Sequence, residues 1–182
     1  MPDRKGSNEI FCVARIGVAG VRSGACQKVE RVMQALKRIL LAEDNSKDVE
    51  LTLAGLQECN LANDVFVVRD GTEVLDFLHQ RGQFASRQTG LPSILFLDLK
   101  MPKMNGLDVL RQIKSDATLR TLPVVMVTSS REERDIIESY NLGVNAYVVK
   151  PIDFRQFIDA IRQLGTFWAV LNETPRTAAR AG

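Results

Sequence analysis

Five side chains with reactive chemistry stand directly after short apolar runs. Glu43 and Asp44 follow Ile39–Ala42, Asp98 follows Ser93–Leu97, Thr128 follows Val124–Val127, and Lys150 follows Ala146–Val149. Brought together, three carboxylates repel: two unit charges about 4 Å apart cost roughly 4 kcal/mol at an effective dielectric near 20. Such a cluster must hold protons, pair with cations or bind a metal. Lys150 brings one positive charge, too little for three acids. A hard divalent ion fits the deficit, because Mg²⁺ takes oxygen ligands, commonly one or two carboxylates with water and a phosphoryl oxygen. One acid then remains free to attack phosphorus, with the ion shielding its approach.

These residues converge only if the runs are neighbouring parallel strands, whose carboxyl ends share the edge where open α/β sheets bind ligands. The segments between the runs meet that demand. Asp48–Asn60 carries Val49, Leu53 and Leu56 at helical spacing, Thr72–His79 follows the strand Val65–Val68 and its Asp70–Gly71 turn, and Leu107–Ser115, Arg131–Tyr140 and Phe154–Leu171 are further helices. The last of these places Phe157, Ile158, Ile161, Leu164 and Trp168 on one face. Gln80–Gly90 is polar and glycine-containing, so a surface loop is expected. Strands that are almost wholly apolar and alternate with helices imply a parallel sheet covered on both faces, hence a doubly wound α/β sandwich. Up to about Gln34 no period is evident and Gly17, Gly20 and Gly24 interrupt the apolar residues. Residues 1–36 are therefore expected to be an extension, with a short helix over Val29–Lys37, and residues 172–182 a polar tail around a folded unit at 37–171.

Four segments carry a family resemblance: Leu40-Leu41-Ala42-Glu43-Asp44-Asn45, Leu97-Asp98-Leu99-Lys100-Met101-Pro102-Lys103-Met104-Asn105-Gly106, Val127-Thr128-Ser129-Ser130 and Tyr147-Val148-Val149-Lys150-Pro151. In this order, across Arg38 to Leu164, they resemble the signature regions of bacterial response-regulator receiver domains. The resemblance implies the flavodoxin-like strand order 2-1-3-4-5, with Asp98 as phosphoacceptor. It implies Mg²⁺ held by Glu43, Asp44, Asp98 and the backbone carbonyl of Lys100. It gives Lys150 a phosphoryl oxygen to bind and a cis bond to Pro151. Thr128 would move toward the phosphoryl group and Tyr147 would turn inward as it does, while the small Ser129 leaves access and Gly106 permits a tight turn. Lys100 and Ser130 occupy positions that tune dephosphorylation in the family. Such a protein catalyses only its own phosphorylation and dephosphorylation.

A narrower resemblance rests on the Gln80–Gly90 insertion, Tyr140-Asn141-Leu142 and Phe167-Trp168-Ala169-Val170-Leu171. These are similar to single-domain regulators paired with bacterial phytochrome kinases. The expected partners are a sensor histidine kinase of that type and a second copy of the chain, joined through the last strand and helix. Phe167, Trp168 and Leu171 would cover that face, unless they cap the protein's own core.

Composition narrows the remaining classes. A net charge of +2 gives no footprint for nucleic acid or anionic membrane, and no apolar stretch is long enough to span a bilayer. Arg15 interrupts the apolar run Ile10–Val21, making a poor signal peptide. Cys12, Cys26 and Cys59 lack metal-ligand spacing and suit a reduced cytoplasmic setting. No DNA-binding unit is expected after Leu171. Two other functions compete. A phosphatase with a strand-end aspartate nucleophile would need an acid two residues after Asp98, where Lys100 stands. A phosphorylation-independent binding module would tolerate losing Asp98, Asp44 or Lys150, and all three are present. His79 is expected to be solvated, and Arg131–Arg134 a solvated helix face.

Overall fold

A computed structural model of the chain describes residues 38–58, 61, 65–151 and 153–172. The expected extension, its helix and all three cysteines lie outside those residues, as do residues 173–182 of the tail. Five strands, β1 (Ile39–Ala42), β2 (Val65–Val68), β3 (Ile94–Leu97), β4 (Val124–Thr128) and β5 (Ala146–Val149), form one parallel sheet in the order β2-β1-β3-β4-β5. The helices between and after them are α1 (Ser46–Gln57), α2 (Gly71–His79), α3 (Gly106–Ser115), α4 (Glu133–Asn141) and α5 (Phe154–Gly165). The fold is the doubly wound sandwich expected from the alternation of apolar runs and amphipathic segments.

Every residue of β1 and β3 is buried, and alternate side chains enter different cores. Leu40, Ala42, Leu95 and Leu97 pack with Val74, Phe77, Val109 and Ile113 of α2 and α3. Ile39, Leu41, Ile94 and Phe96 meet Val49 and Leu56 of α1 and Phe157 and Ile161 of α5. Helices cover both faces, which is why these strands show no polar alternation. The sheet order reverses between β1 and β3. Their carboxyl ends are tied by the Asp98 amide donating to the Ala42 carbonyl at 3.0 Å, so the acids after β1 face the acid after β3.

Local chemistry sets the helix starts. Asn45, Asp70, Asn105 and Asp153 each accept a backbone N–H of the following first turn, satisfying donors that a helix leaves free. Asp70, read from the sequence as part of a turn, is the buried cap of α2 and also accepts from Lys103 Nζ at 2.6 Å. Burial opposes its charge, but the hydrogen bonds from Lys103 and the Glu73 amide win and hold its carboxyl below the ordinary value. A depressed carboxyl stabilises the fold above the unfolded value of 3.8, and that contribution disappears as pH falls through the lower folded value. Asp70→Ala should cost about 1–2 kcal/mol near neutrality. The deficit should shrink in acid, as read by urea unfolding at a series of pH values.

The loop between α2 and β3 contains a 3₁₀ turn, Gly82–Phe84, and is pinned by Arg87. The Arg87 guanidinium lies 4.1 Å from the centre of the Phe77 ring and donates to the carbonyls of Phe77 and Gly90. The last helix differs from the expected single run: α5 ends at Gly165 and Thr166–Leu171 continues as a π-helical segment. Gly165 lies where a Cβ would come 2.7 Å from Leu56 Cδ2, so a side chain there would have to displace that buried leucine of α1.

Candidate functional site

Four of the five strands, β1, β3, β4 and β5, deliver the parts of the site. The Glu43 amide donates to the Val68 carbonyl at 3.0 Å and the Lys150 amide to the Thr128 carbonyl at 2.7 Å, extending the strand ladders through the polar residues. Glu43, Asp44 and Asp98 offer carboxylate oxygens within 4.8 Å of one another, with Glu43 and Asp98 buried and Asp44 exposed. Thr128 is buried at the end of β4, and Lys150 at the end of β5 reaches back across the sheet. The five residues singled out by sequence therefore share one pocket.

Asp98 is the most constrained member. Its Oδ2 accepts the Lys100 backbone N–H at 3.1 Å, while Oδ1 is buried with no hydrogen-bond donor and lies 3.5 Å from Lys150 Nζ. Burial pushes its carboxyl above the usual value, against the pull of Lys150 and the Thr128 hydroxyl. Burial likewise raises Glu43, up to about 7, although Lys150 Nζ is only 2.5 Å from its Oε2. For Lys150 burial acts downward, but its hydrogen bonds to Asp48 and Glu43 outweigh it and its pKa is raised. A buried carboxylate oxygen without a donor, beside two further acids, suits a hard cation with oxygen preference. The donor set fits Mg²⁺.

The third partner of Lys150 was not anticipated. Asp48 Oδ2 lies 2.7 Å from Nζ, nearer than Asp98. Asp48 lies in the first turn of α1, four residues after Asp44, and that spacing was the available signal. A second unanticipated acid is Asp135, which is buried on α4 and accepts from Ser130 Oγ at 2.6 Å. The Ser130 amide donates to Thr128 Oγ1 at 3.2 Å, and Tyr147 donates its hydroxyl to the Ser130 carbonyl at 3.2 Å. Thr128 thus accepts from the loop before α4 and does not cap that helix, whose first turn has no side-chain cap. Tyr147 is half-buried against the core shared with α2 and α3.

One sequence expectation is corrected. No cis peptide bond occurs among the described residues, so Lys150–Pro151 is trans, the isomer favoured by about 0.5–1 kcal/mol unless a tight turn compels the other. In the loop after Asp98 the left-handed conformation belongs to Lys103, at φ +63°. Gly106 is instead a close-approach residue, because a Cβ there would overlap the Asp98 carbonyl and come 3.0 Å from Leu99 Cα. Gly106→Ala should therefore cost about 1–3 kcal/mol by displacing the loop against backbone, measurable by urea unfolding. His79 is exposed as expected, with Asp116 Oδ2 at 3.6 Å, and residues 131–134 are exposed.

The response regulator receiver domain model matches residues 39–162. The chain belongs to the response-regulator receiver family. It is 34% identical over 132 residues to the response regulator Rcp1 of Synechocystis sp., covering 72% of this chain and 88% of Rcp1. The Mn²⁺-bound form of Rcp1 superposes with a TM-score of 0.71 at 33% identity, covering 76% of this chain and 99% of that one. The phosphorylated cyanobacterial phytochrome response regulator RcpA also gives 0.71, at 37% identity over 76% of this chain and 98% of RcpA. The bacteriophytochrome response regulator RtBRR is 57% identical, covering 77% of this chain and 84% of that one, with a TM-score of 0.62. Receiver domains are phosphoacceptor signalling modules of two-component systems, and this chain lies close to those that serve phytochromes.

Proposed function

We propose that Asp98 accepts a phosphoryl group from a phytochrome-type sensor histidine kinase and that the protein signals by the resulting change of shape. The observation that carries this reading is the Asp98 carboxyl itself: buried at a strand end, with Oδ1 free of donors and Lys150 3.5 Å away. The carboxylate attacks the phosphorus of a phosphohistidine, forming an O–P bond as the P–N bond breaks and the imidazole leaves. Glu43, Asp44, Asp98 and the Lys100 carbonyl would hold Mg²⁺, which neutralises charge on the transferred group. Lys150 supplies a point charge for a phosphoryl oxygen, and the Thr128 hydroxyl donates to another. Thr128 then gives up its contact with the Ser130 amide, so the Ser130–Asp135–Tyr147 connections carry the change to α4 and β5.

The output is protein contact, with a second copy meeting the face of β5, α5 and its continuation. The surroundings of the last turn support that face. Trp168 packs on the core beside Val148 and Leu164, whereas Phe167 and Leu171 are 51% and 67% exposed, and Ile137 and Tyr140 of α4 are also exposed. Trp168 thus takes the core-capping role and its neighbours are left for a partner. No helix among the described residues is long and apolar enough to cross a membrane, and we place the protein in the cytoplasm with its kinase, acting without DNA contact.

Incubation with acetyl phosphate, followed by intact mass and size-exclusion elution, tests both halves. One Mg²⁺-dependent phosphoryl adduct with a shift to dimer is the expected result. No adduct with acetyl phosphate or a cognate kinase would favour a phosphorylation-independent binding module.

A further inference from the structure

Lys150 Nζ has three N–H donors, and two point away from the phosphoacceptor. They go to Glu43 Oε2 at 2.5 Å and Asp48 Oδ2 at 2.7 Å, while Asp98 Oδ1, buried without a donor, stays 3.5 Å from the same nitrogen. The Lys150 side chain is only 9% exposed, so its pairing is decided largely inside the site. Glu43 belongs to the carboxylate cluster that suits a hard cation; Asp48 does not. Asp48 is held in the first turn of α1, whose start is capped by Asn45 accepting the Lys47 amide at 3.0 Å, and its own carbonyl accepts Thr52 Oγ1 at 2.8 Å. Its carboxylate is therefore presented to Lys150 from a fixed helix.

We propose that Asp48 is a positioning residue that holds the Lys150 ammonium on the α1 side of the pocket, away from Asp98, and so competes with a phosphoryl group for it. This rests on the reading of Asp98 as phosphoacceptor. A phosphoryl oxygen must share Lys150 with Asp48 or displace it, and the Asp48 charge also opposes an incoming anion. Retention of the modification is thus weaker than Lys150 alone would allow.

Beryllofluoride, a phosphoryl mimic, serves as the probe at saturating Mg²⁺. Asp48→Asn should bind it about tenfold more tightly, the effect of removing one nearby competing charge from a partly screened site. Asp48→Glu should restore wild-type affinity. Glu50→Gln removes the same charge from an exposed position of α1 and should leave affinity unchanged. In protein free of Mg²⁺, the Lys150 ammonium resonance should move in Asp48→Asn and stay in place in Glu50→Gln. Equal or weaker binding by Asp48→Asn, or an equal gain in Glu50→Gln, overturns the proposal while a wild-type acetyl phosphate adduct keeps the phosphoacceptor reading intact. Absence of that adduct in the wild type overturns both.

Discussion

Asp98→Asn is expected to abolish the phosphoryl adduct and, in the same protein free of metal, to raise stability by about 1–3 kcal/mol. The two effects share a cause. The proposed nucleophile needs an unencumbered oxygen, which Asp98 offers in its donor-free Oδ1, but its burial works against the ionised form that must attack. Burial that raises its pKa marks the ionised form as costly in the folded state. The amide has nearly the same shape and no charge, so repulsion from Glu43 and Asp44 falls while the Lys100 amide keeps an acceptor. Urea unfolding in the presence of a chelator reads the stability, and intact mass after acetyl phosphate treatment reads the chemistry. A persisting stoichiometric adduct would remove Asp98 from its role. An unmodified but destabilised variant would mean that the carboxylate is held by interactions stronger than the geometry indicates.

Lys150→Met should have the opposite effect on stability. Lys150, a nearly buried side chain, joins Glu43, Asp48 and Asp98 around one nitrogen, so its removal leaves several acids facing one another without a cation. Breaking a buried pair on one side costs about 3–5 kcal/mol, because the remaining charge keeps its desolvation penalty. Phosphorylation should slow by about 100-fold or more, the usual consequence of deleting a group that meets developing charge. Mg²⁺ separates the electrostatic deficit from a packing defect. A dication meets part of the charge that Lys150 no longer balances, so Mg²⁺ should raise the midpoint of thermal unfolding further in the variant than in the wild type. Equal shifts in both proteins would assign the loss to packing and not to charge.

Much of the fold and site was legible because periodicity and strand-end placement are local properties. The strands β1, β2 and β5 begin and end where the apolar runs do, and the strand order follows the resemblance carried by the four motifs. Helix starts moved by at most two residues, largely because caps decide them, and the last α-helix ends six residues early, where the π-helical segment begins. Asn45 starts α1 at Ser46, ahead of the first apolar residue, and Gly106 begins α3 although it contributes no side chain to the periodicity.

Residue types at strand ends, read with the apolar alternation, determined on their own that the chain folds as a doubly wound sheet with three acids, a hydroxyl and an amine at one edge. They could not determine how those groups pair. Lys150 and Asp48 are separated by 102 positions, and their contact exists only because α1 and β5 are carried to the same corner of the sheet. Asp135 is polar on a helix with exposed neighbours, and only packing shows it to be buried and bonded to Ser130. Trp168 and Phe167 are adjacent aromatics with equal claims on the core; the π-helical segment after α5 turns one inward and leaves the other in solvent. Pairing, depth and orientation depend on distances between residues remote in sequence, and those distances are set by the assembled sheet and helices rather than by any segment alone.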